Sequence, residues 1–336
     1  MIAWLFALGL LAYPDPQLLP LVHQGQARAF QEDFAGARRL FQEVIHQAPE
    51  DPLGYLLMTG LYDLFMLDYS VNDSTAQFFR YADLCEEKAQ PWLRSSNPSQ
   101  RAWGHFYTGA AAAYKAMRFG RNRQYLPALK HAWRALQHLQ DAVALDSTLY
   151  DAYLGLGTYH YALSELPKFV KWIPGIGDKR EQGLREIRLA AERGLLSRYA
   201  AKDGLAWVLA YDARPYEGVQ IAQELVQEFP HSRTFRWTLA FAYYRAGKYR
   251  DALRTYEEIL YYSLPDHKEY PYNLAIVVYW MAKASYNRGQ YATAAYYARV
   301  VEDLLKQDWR TDLVKDLQGR LKTLKKRIYR RLHRRP

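Results

Sequence analysis

The sequence predicts an all-α fold: a right-handed α-solenoid of about seven helical hairpins with a C-terminal capping helix. Three observations carry this. A two-helix pattern with a Gly-x-Tyr break at Gly247 and Tyr249 returns 42 residues later at Gly289 and Tyr291. Prolines 49, 52, 91, 98, 127, 215, 230, 265 and 271 fall where helices should begin or end. No segment shows the alternation of a half-buried strand.

The elements follow in chain order. Residues 2–12 (IAWLFALGLLA) are apolar and uncharged, and Tyr13, Pro14, Asp15 and Pro16 stop any helix there. The run suits a signal-peptide h-region and is too short to span a bilayer. No Lys or Arg precedes it and no Ala-x-Ala site follows it. Residues 1–16 read either as an export signal, making the protein exported or envelope-associated, or as an apolar helix over the first hairpin of a cytoplasmic protein. Hairpins are expected near 17–49, 52–90, 98–145, 149–194, 198–230, 232–264 and 271–306, one solenoid over 17–308. A last helix is expected near 309–334, with 309–336 as amphipathic cap and basic tail.

The hairpins share a residue grammar. In the sixth, Ala252, Tyr256 and Ile259 line the second helix, and in the seventh Ala294, Ala298 and Val301 do so. In the first, Phe34, Ala37, Phe41, Val44 and Pro49 hold the matching offsets. Small residues let paired helices approach, and large ones fill the groove to the next hairpin. The second to fourth hairpins are looser, with long inter-helix segments expected around 68–74, 120–124 and 167–178.

This grammar resembles the tetratricopeptide repeat (TPR). Residues 155–184 also resemble the TPR proteins of the mitochondrial outer-membrane, inclusion-body-clearance family. The matching residues are Ser164, Leu166, Pro167, Gly175, Gly177, Asp178, Gly183 and Leu184. The resemblance covers roughly 130–230. It implies an α-solenoid adaptor, with a membrane as one setting, and no enzymatic activity.

Composition narrows the function classes. Half the residues are hydrophobic and 24% are charged, which excludes wholesale disorder. The single cysteine, Cys85, excludes an internal disulfide and a Cys-rich zinc module. Residues 320–336 hold nine Lys or Arg and no carboxylate, so of the net charge of +10 only about +1 belongs to the rest. A nucleic-acid-binding body spreads its basic footprint over a face, so nucleic acid is not expected as a partner.

Candidate chemistry is sparse. The stretch 175–180 (GIGDKR) lacks P-loop spacing and reads as an irregular loop with Asp178 capping the next helix. No histidine pair has metal-ligand spacing, and His131 and His138 stand too far apart on one helix. The pairs Glu86-Glu87 and Glu257-Glu258 read as solvated faces. No catalytic residue, metal site or cofactor is expected, and no enzyme.

The aromatic residues carry the functional reading. First helices of TPR hairpins line the concave face. The corresponding positions are Asp203, Trp207 and Tyr211 in the fifth hairpin, Trp237, Phe241, Tyr244 and Arg245 in the sixth, and Tyr279, Lys283 and Tyr286 in the seventh. They predict a groove floored by aromatics with Arg245 and Lys283 at its polar edge, suited to a peptide with apolar anchors and an acidic group. The same rings could instead pack against the last helix. That helix carries an apolar stripe, Leu313, Leu317, Leu321, Leu324, Ile328 and Leu332. Its basic set is Arg320, Lys322, Lys325, Lys326, Arg327, Arg330, Arg331, Arg334 and Arg335. The leading expectation is a non-enzymatic scaffold for a protein or peptide. The alternative is peripheral binding to an anionic membrane surface through the tail.

Overall fold

The computed structural model describes residues 13–71, 73–165, 177–266, 271–308 and 311–333. The expected segment 2–12, the resemblance residues Leu166, Pro167 and Gly175, and the tail residues Arg334 and Arg335 lie outside them. The described residues are helical with no strand.

Fourteen helices pair in sequence order. They are α1 (Leu19–Phe30) with α2 (Phe34–Gln47), α3 (Pro52–Asp68) with α4 (Thr75–Leu93), and α5 (Pro98–Arg121) with α6 (Tyr125–Leu145). Then come α7 (Ala152–Ser164) with α8 (Arg180–Arg193), α9 (Arg198–Tyr211) with α10 (Pro215–Glu228), α11 (Arg233–Arg245) with α12 (Tyr249–Ser263), and α13 (Pro271–Asn287) with α14 (Tyr291–Leu305). A last helix, α15 (Thr311–Leu332), follows. All fall inside their expected hairpins except α4, which runs three residues past the expected end at 90. Two details differ. Pro91 sits inside the last turn of α4, where it gives up one helical hydrogen bond near the end. The expected long segment at 120–124 is a tight turn.

That turn recurs. Six of the described hairpins place a residue in the left-handed region after the first helix: Glu32 (φ 60°), Arg123 (φ 59°), Ala213 (φ 63°), Gly247 (φ 72°), Gly289 (φ 84°) and Ser70 (φ 53°), whose turn closes with Val71 N on Met66 O at 3.1 Å. In each, the next amide reaches back to a carbonyl one turn earlier. Asp33 N donates to Arg28 O, Gln124 N to Phe119 O, Arg214 N to Leu209 O, Lys248 N to Tyr243 O and Gln290 N to Ser285 O, all at 2.9 Å. This satisfies carbonyls that the helix end leaves open. The Gly-x-Tyr signal is the glycine form of a device that four of the described hairpins build without glycine.

The chain forms two compact units. One comprises residues 1–29, 33–63 and 75–189. Its helix pairs meet at small residues. A Cβ on Gly157 would stand 2.6 Å from Gly183 O, and one on Gly183 would stand 2.7 Å from Gly157 O, so α7 and α8 cross nearly backbone to backbone. Ser164 locks the far end of this pair, its Oγ accepting from Lys179 N at 2.9 Å. In α5, buried Lys115 pairs with Asp83 at 2.6 Å and Glu86 at 3.0 Å, and buried Arg118 pairs with Asp63 at 2.6 Å. Glu86 also binds Arg134 at 2.6 Å. It is therefore a buried anchor rather than part of the expected solvated face.

The other unit comprises residues 30–32, 64–74 and 190–336. Its core takes alanines at the crossings, among them Ala206, Ala222, Ala252 and Ala294, and large residues between hairpins, such as Tyr256 and Ile259. The last helix joins this core along its whole length. Val314, Leu317, Leu321, Leu324 and Ile328 are buried, while Leu313 and Leu332, expected in the same stripe, are exposed.

Ala213 is exposed, and its left-handed backbone costs a non-glycine residue about 1 kcal/mol or more. Ala213→Gly should raise stability by about 0.5–1 kcal/mol after the greater flexibility of the unfolded chain is allowed for. Urea unfolding measures this. A loss of stability would show that the turn does not need that conformation.

Candidate functional site

The expected groove residues lie on α9, α11 and α13, the first helices of three successive hairpins in one unit. The structure brings most of them together. Trp207, on the exposed face of α9, stacks on Phe241 of α11 with ring centres 4.1 Å apart and planes 16° apart. Phe241 meets Trp280 of α13 edge-on at 6.0 Å, and Tyr244 meets the same indole at 5.2 Å. Trp237 packs edge-on against Tyr256 at 5.6 Å, and Tyr286 lies 5.5 Å from Tyr291. Trp280 is thus the centre of the cluster. It is absent from the expected set, although it stands three residues before Lys283 on the same helical face.

Burial divides the set. Phe241 and Tyr279 are buried, and Trp237, Tyr244 and Tyr286 are half-buried. Trp207 and Tyr211 remain exposed at 43% and 51%. The buried rings are part of the core, so the exposed members of the set are Trp207 and Tyr211, with Tyr244 and Tyr286 half-buried beside them.

The cations divide as well. Arg245 is not a free edge. Its Nε donates to Ala210 O at 3.1 Å and its guanidinium to Tyr211 O at 2.8 Å, closing the carbonyl end of α9. The guanidinium also covers the Tyr211 ring at 5.5 Å. Lys283 differs. Its Nζ sits 3.9 Å from the centre of the Trp280 ring and 5.1 Å from that of Tyr244, a cation held over aromatic faces. Burial lowers its pKa, and the charges of Arg320, Arg327 and Arg245 lower it further. Two of these come from α15, whose Arg320 also stands 5.8 Å from the Tyr279 ring. Four cations therefore converge on an aromatic shelf.

Asp203 lies at the other end. Its carboxylate accepts from Thr238 Oγ1 at 2.6 Å, and burial pushes its pKa up to about 7 against the lowering effect of that bond. It braces α9 on α11 and does not reach Lys283's circle of charges.

The tail is less free than its sequence suggests. Arg320 pairs with Asp316 at 2.6 Å and Lys325 with Glu302 at 2.5 Å, and Arg331 hydrogen-bonds Tyr286. Lys322, Lys326 and Arg330 are exposed. The apolar face that would enter a bilayer is occupied by the core, so insertion of this helix is not open to it.

A second polar cluster was not foreseen. Arg233, buried at the start of α11, binds Asp68 through two bonds of 3.2 and 2.5 Å and donates to Tyr262 O at 3.1 Å. Glu32 Oε1 accepts from Arg233 N at 2.7 Å and Thr234 N at 3.3 Å, covering the open amides of α11. The three lie in one unit beside a cavity of about 360 Å³ that Tyr69, His231 and Tyr262 also line. Burial and Asp68 push the Glu32 pKa up to about 8. Partners some 200 residues apart leave no local sequence signal. Neither, for the same reason, does the meeting of His105 and His138, 3.2 Å apart across α5 and α6. Among the described residues, no group of three His, Cys, Asp or Glu side chains is placed to hold a metal.

Two outcomes follow. Arg233→Met removes the guanidinium that buried Asp68 binds, while the backbone amides that Glu32 holds remain, and should cost about 3–5 kcal/mol in denaturant unfolding; a loss below about 1 kcal/mol would show that the ion pair carries no stability. Asp203, with its raised pKa, holds a proton in the folded state that the unfolded chain releases near pH 4. Its contribution to stability therefore falls as pH rises from about 4 to about 7. Asp203→Asn should flatten that part of the stability–pH curve, and an unchanged slope would contradict the assignment.

No protein-family model matches the chain, and no curated protein matches it. Solved structures do. A Rap protein in complex with competence and sporulation factor aligns at TM-score 0.52 and 9% identity, covering 90% of this chain and 80% of that one. A TPR protein from Parabacteroides merdae aligns at TM-score 0.42 and 15% identity, over 91% of this chain and 99% of its own. The C-terminal part of a TPR protein from Cytophaga hutchinsonii aligns at 0.44 and 14%, over 88% and 98%. The kinship suggested for residues 130–230 with the mitochondrial inclusion-body family is not confirmed by these likenesses. Paired helices crossing at small residues, joined by left-handed turns and stacked in sequence order, make this an all-α helical-repeat chain with the TPR-type fold.

Proposed function

We propose that the chain is a non-catalytic scaffold that holds a protein or peptide segment carrying aromatic or aliphatic anchors beside an acidic group. The observation that carries this is Lys283, half-buried on Trp280 and surrounded by cations. An ammonium desolvated among like charges is held at a cost, and a carboxylate or other anion arriving there would relieve it. Trp207 and Tyr211 offer exposed ring faces alongside, rigid groups that lose little side-chain entropy on binding. The shelf is built from three packed helices, so it is formed before the partner arrives.

Two further points support the reading. A protein of the same fold, the Rap protein, has been solved with competence and sporulation factor bound. Among the described residues, the charged groups of the cluster are the brace Asp203 and the cations Arg245, Lys283, Arg320 and Arg327.

Selection of displayed random peptides on the full-length protein tests the proposal. The expected peptides carry an Asp or Glu within a few residues of an aromatic or Leu. Lys283→Met should weaken them about tenfold or more, the scale of losing one charge-assisted contact. Trp207→Ala should weaken them independently. Peptides without acidic residues, or affinities untouched by Lys283→Met, would sink the reading.

A further inference from the structure

The least explained surface of the molecule lies on α6, in the first unit. The second half of this helix is apolar toward the core, and its first half carries large apolar residues that the core leaves exposed. Ala135, Leu136, Leu139 and Ala142 point into the core. Leu126, Leu129 and Trp133 point out, at 82%, 67% and 57% exposure, and Tyr125 stands beside them at 71%. At roughly 100° per residue, Leu126, Leu129 and Trp133 lie within about 60° of one another, a continuous outward stripe. Scattered exposed apolar residues need no explanation, but a stripe of large ones does.

Charge says what covers it. Residues 88–140 contain no Asp or Glu and nine Lys or Arg. Lys115, Arg118, Arg121 and Arg134 are taken up by Asp83, Glu86 and Asp63, and Lys88 by Glu50. Arg123 and Lys130, which border the stripe, are exposed and in no ion pair among the described residues. The side chains stand up from the surface as a ridge. A ridge does not receive a helix or a strand as a groove would. It suits a soft phase that side chains can enter. Leucine, with Trp and Tyr beside it and Lys and Arg at the rim, is the composition that settles at the boundary between headgroups and acyl chains.

We propose that the α6 ridge docks the protein on an anionic lipid surface. Leu126, Leu129 and Trp133 enter the interface, Tyr125 lies at headgroup depth, and Arg123 and Lys130 face the lipid phosphates. The tail is not the inserting element, because its apolar face is in the core. The proposal is independent of the peptide shelf.

The test uses the full chain and large vesicles of phosphatidylcholine with phosphatidylserine at three to one, against phosphatidylcholine alone. Co-sedimentation should show binding that is stronger on the anionic vesicles and weaker in high salt. Leu126→Ser, Leu129→Ser and Trp133→Ser combined replace exposed side chains, so helicity should be kept while vesicle affinity drops by about tenfold or more. A second readout uses Leu126→Cys carrying an environment-sensitive dye. Cys85 is the only native thiol and is fully buried. The dye emission should shift to the blue on anionic vesicles and be quenched by a lipid-borne quencher. Four results would overturn the proposal: no vesicle binding, binding undiminished in the triple variant, a dye that stays in water on bound protein, or a blue shift without lipid that follows protein concentration. The last would make the ridge a contact between copies of the chain.

Discussion

Two helices can approach no closer than the side chains at their crossing allow, and every hairpin of this protein is organised around that limit. Gly157 and Gly183 meet with no room for a methyl group. Gly218 of α10 does the same against α9, where an added Cβ would stand 2.6 Å from Ala206 O. Elsewhere alanines with no exposed surface, such as Ala37, Ala252 and Ala294, serve at the crossings. Close crossing fixes the spacing of the helices, and the spacing fixes which large side chains can interleave between hairpins. The left-handed turn is the companion constraint. It reverses the chain in so few residues that the second helix must lie against the first.

The aromatic shelf follows from the same spacing. First helices of neighbouring hairpins stand near enough for Trp207 to stack on Phe241 and for Phe241 to meet Trp280. The last helix then adds its cations at one edge. Arg320 and Arg327 reach the surroundings of Lys283 only because Leu317, Leu321, Leu324 and Ile328 fix the rotation of α15 in the core. A helix that reads as a basic tail is thus also the wall of the shelf.

Polar burial does a different task. Arg233 with Asp68 and Glu32, and Asp63 with Arg118, are placed where helix ends and loops would otherwise leave amides and carboxylates without partners. Removing one member of an ion pair such as Arg233–Asp68 or Arg118–Asp63 is costly because the other stays buried and charged. Their value lies in fixing which ends meet rather than in adding much to overall stability.

The hairpin boundaries were legible in the sequence because they depend on local signals: apolar periodicity, proline at helix starts, small residues at crossings, and Gly-x-Tyr. The turn at Arg123 was misread as a long segment because a non-glycine residue in the left-handed region leaves no mark in a single sequence. The residue set of the shelf was legible as a stripe on three helices, but its division into spent and available rings was not. Tyr279 and Trp207 carry the same signal in sequence, and only packing against α15 and the neighbouring hairpins buries the first and leaves the second open. Charge composition was read correctly and its placement was not, since Arg245 closes a helix end and Glu86 anchors two cations. By itself the sequence determined which segments are helices and which faces of them are apolar, because those follow from neighbours three and four residues apart. Which apolar faces are covered, which charges are paired, and which surface is left for a partner were decided by contacts between residues tens to hundreds of positions apart, and only the tertiary structure holds that information.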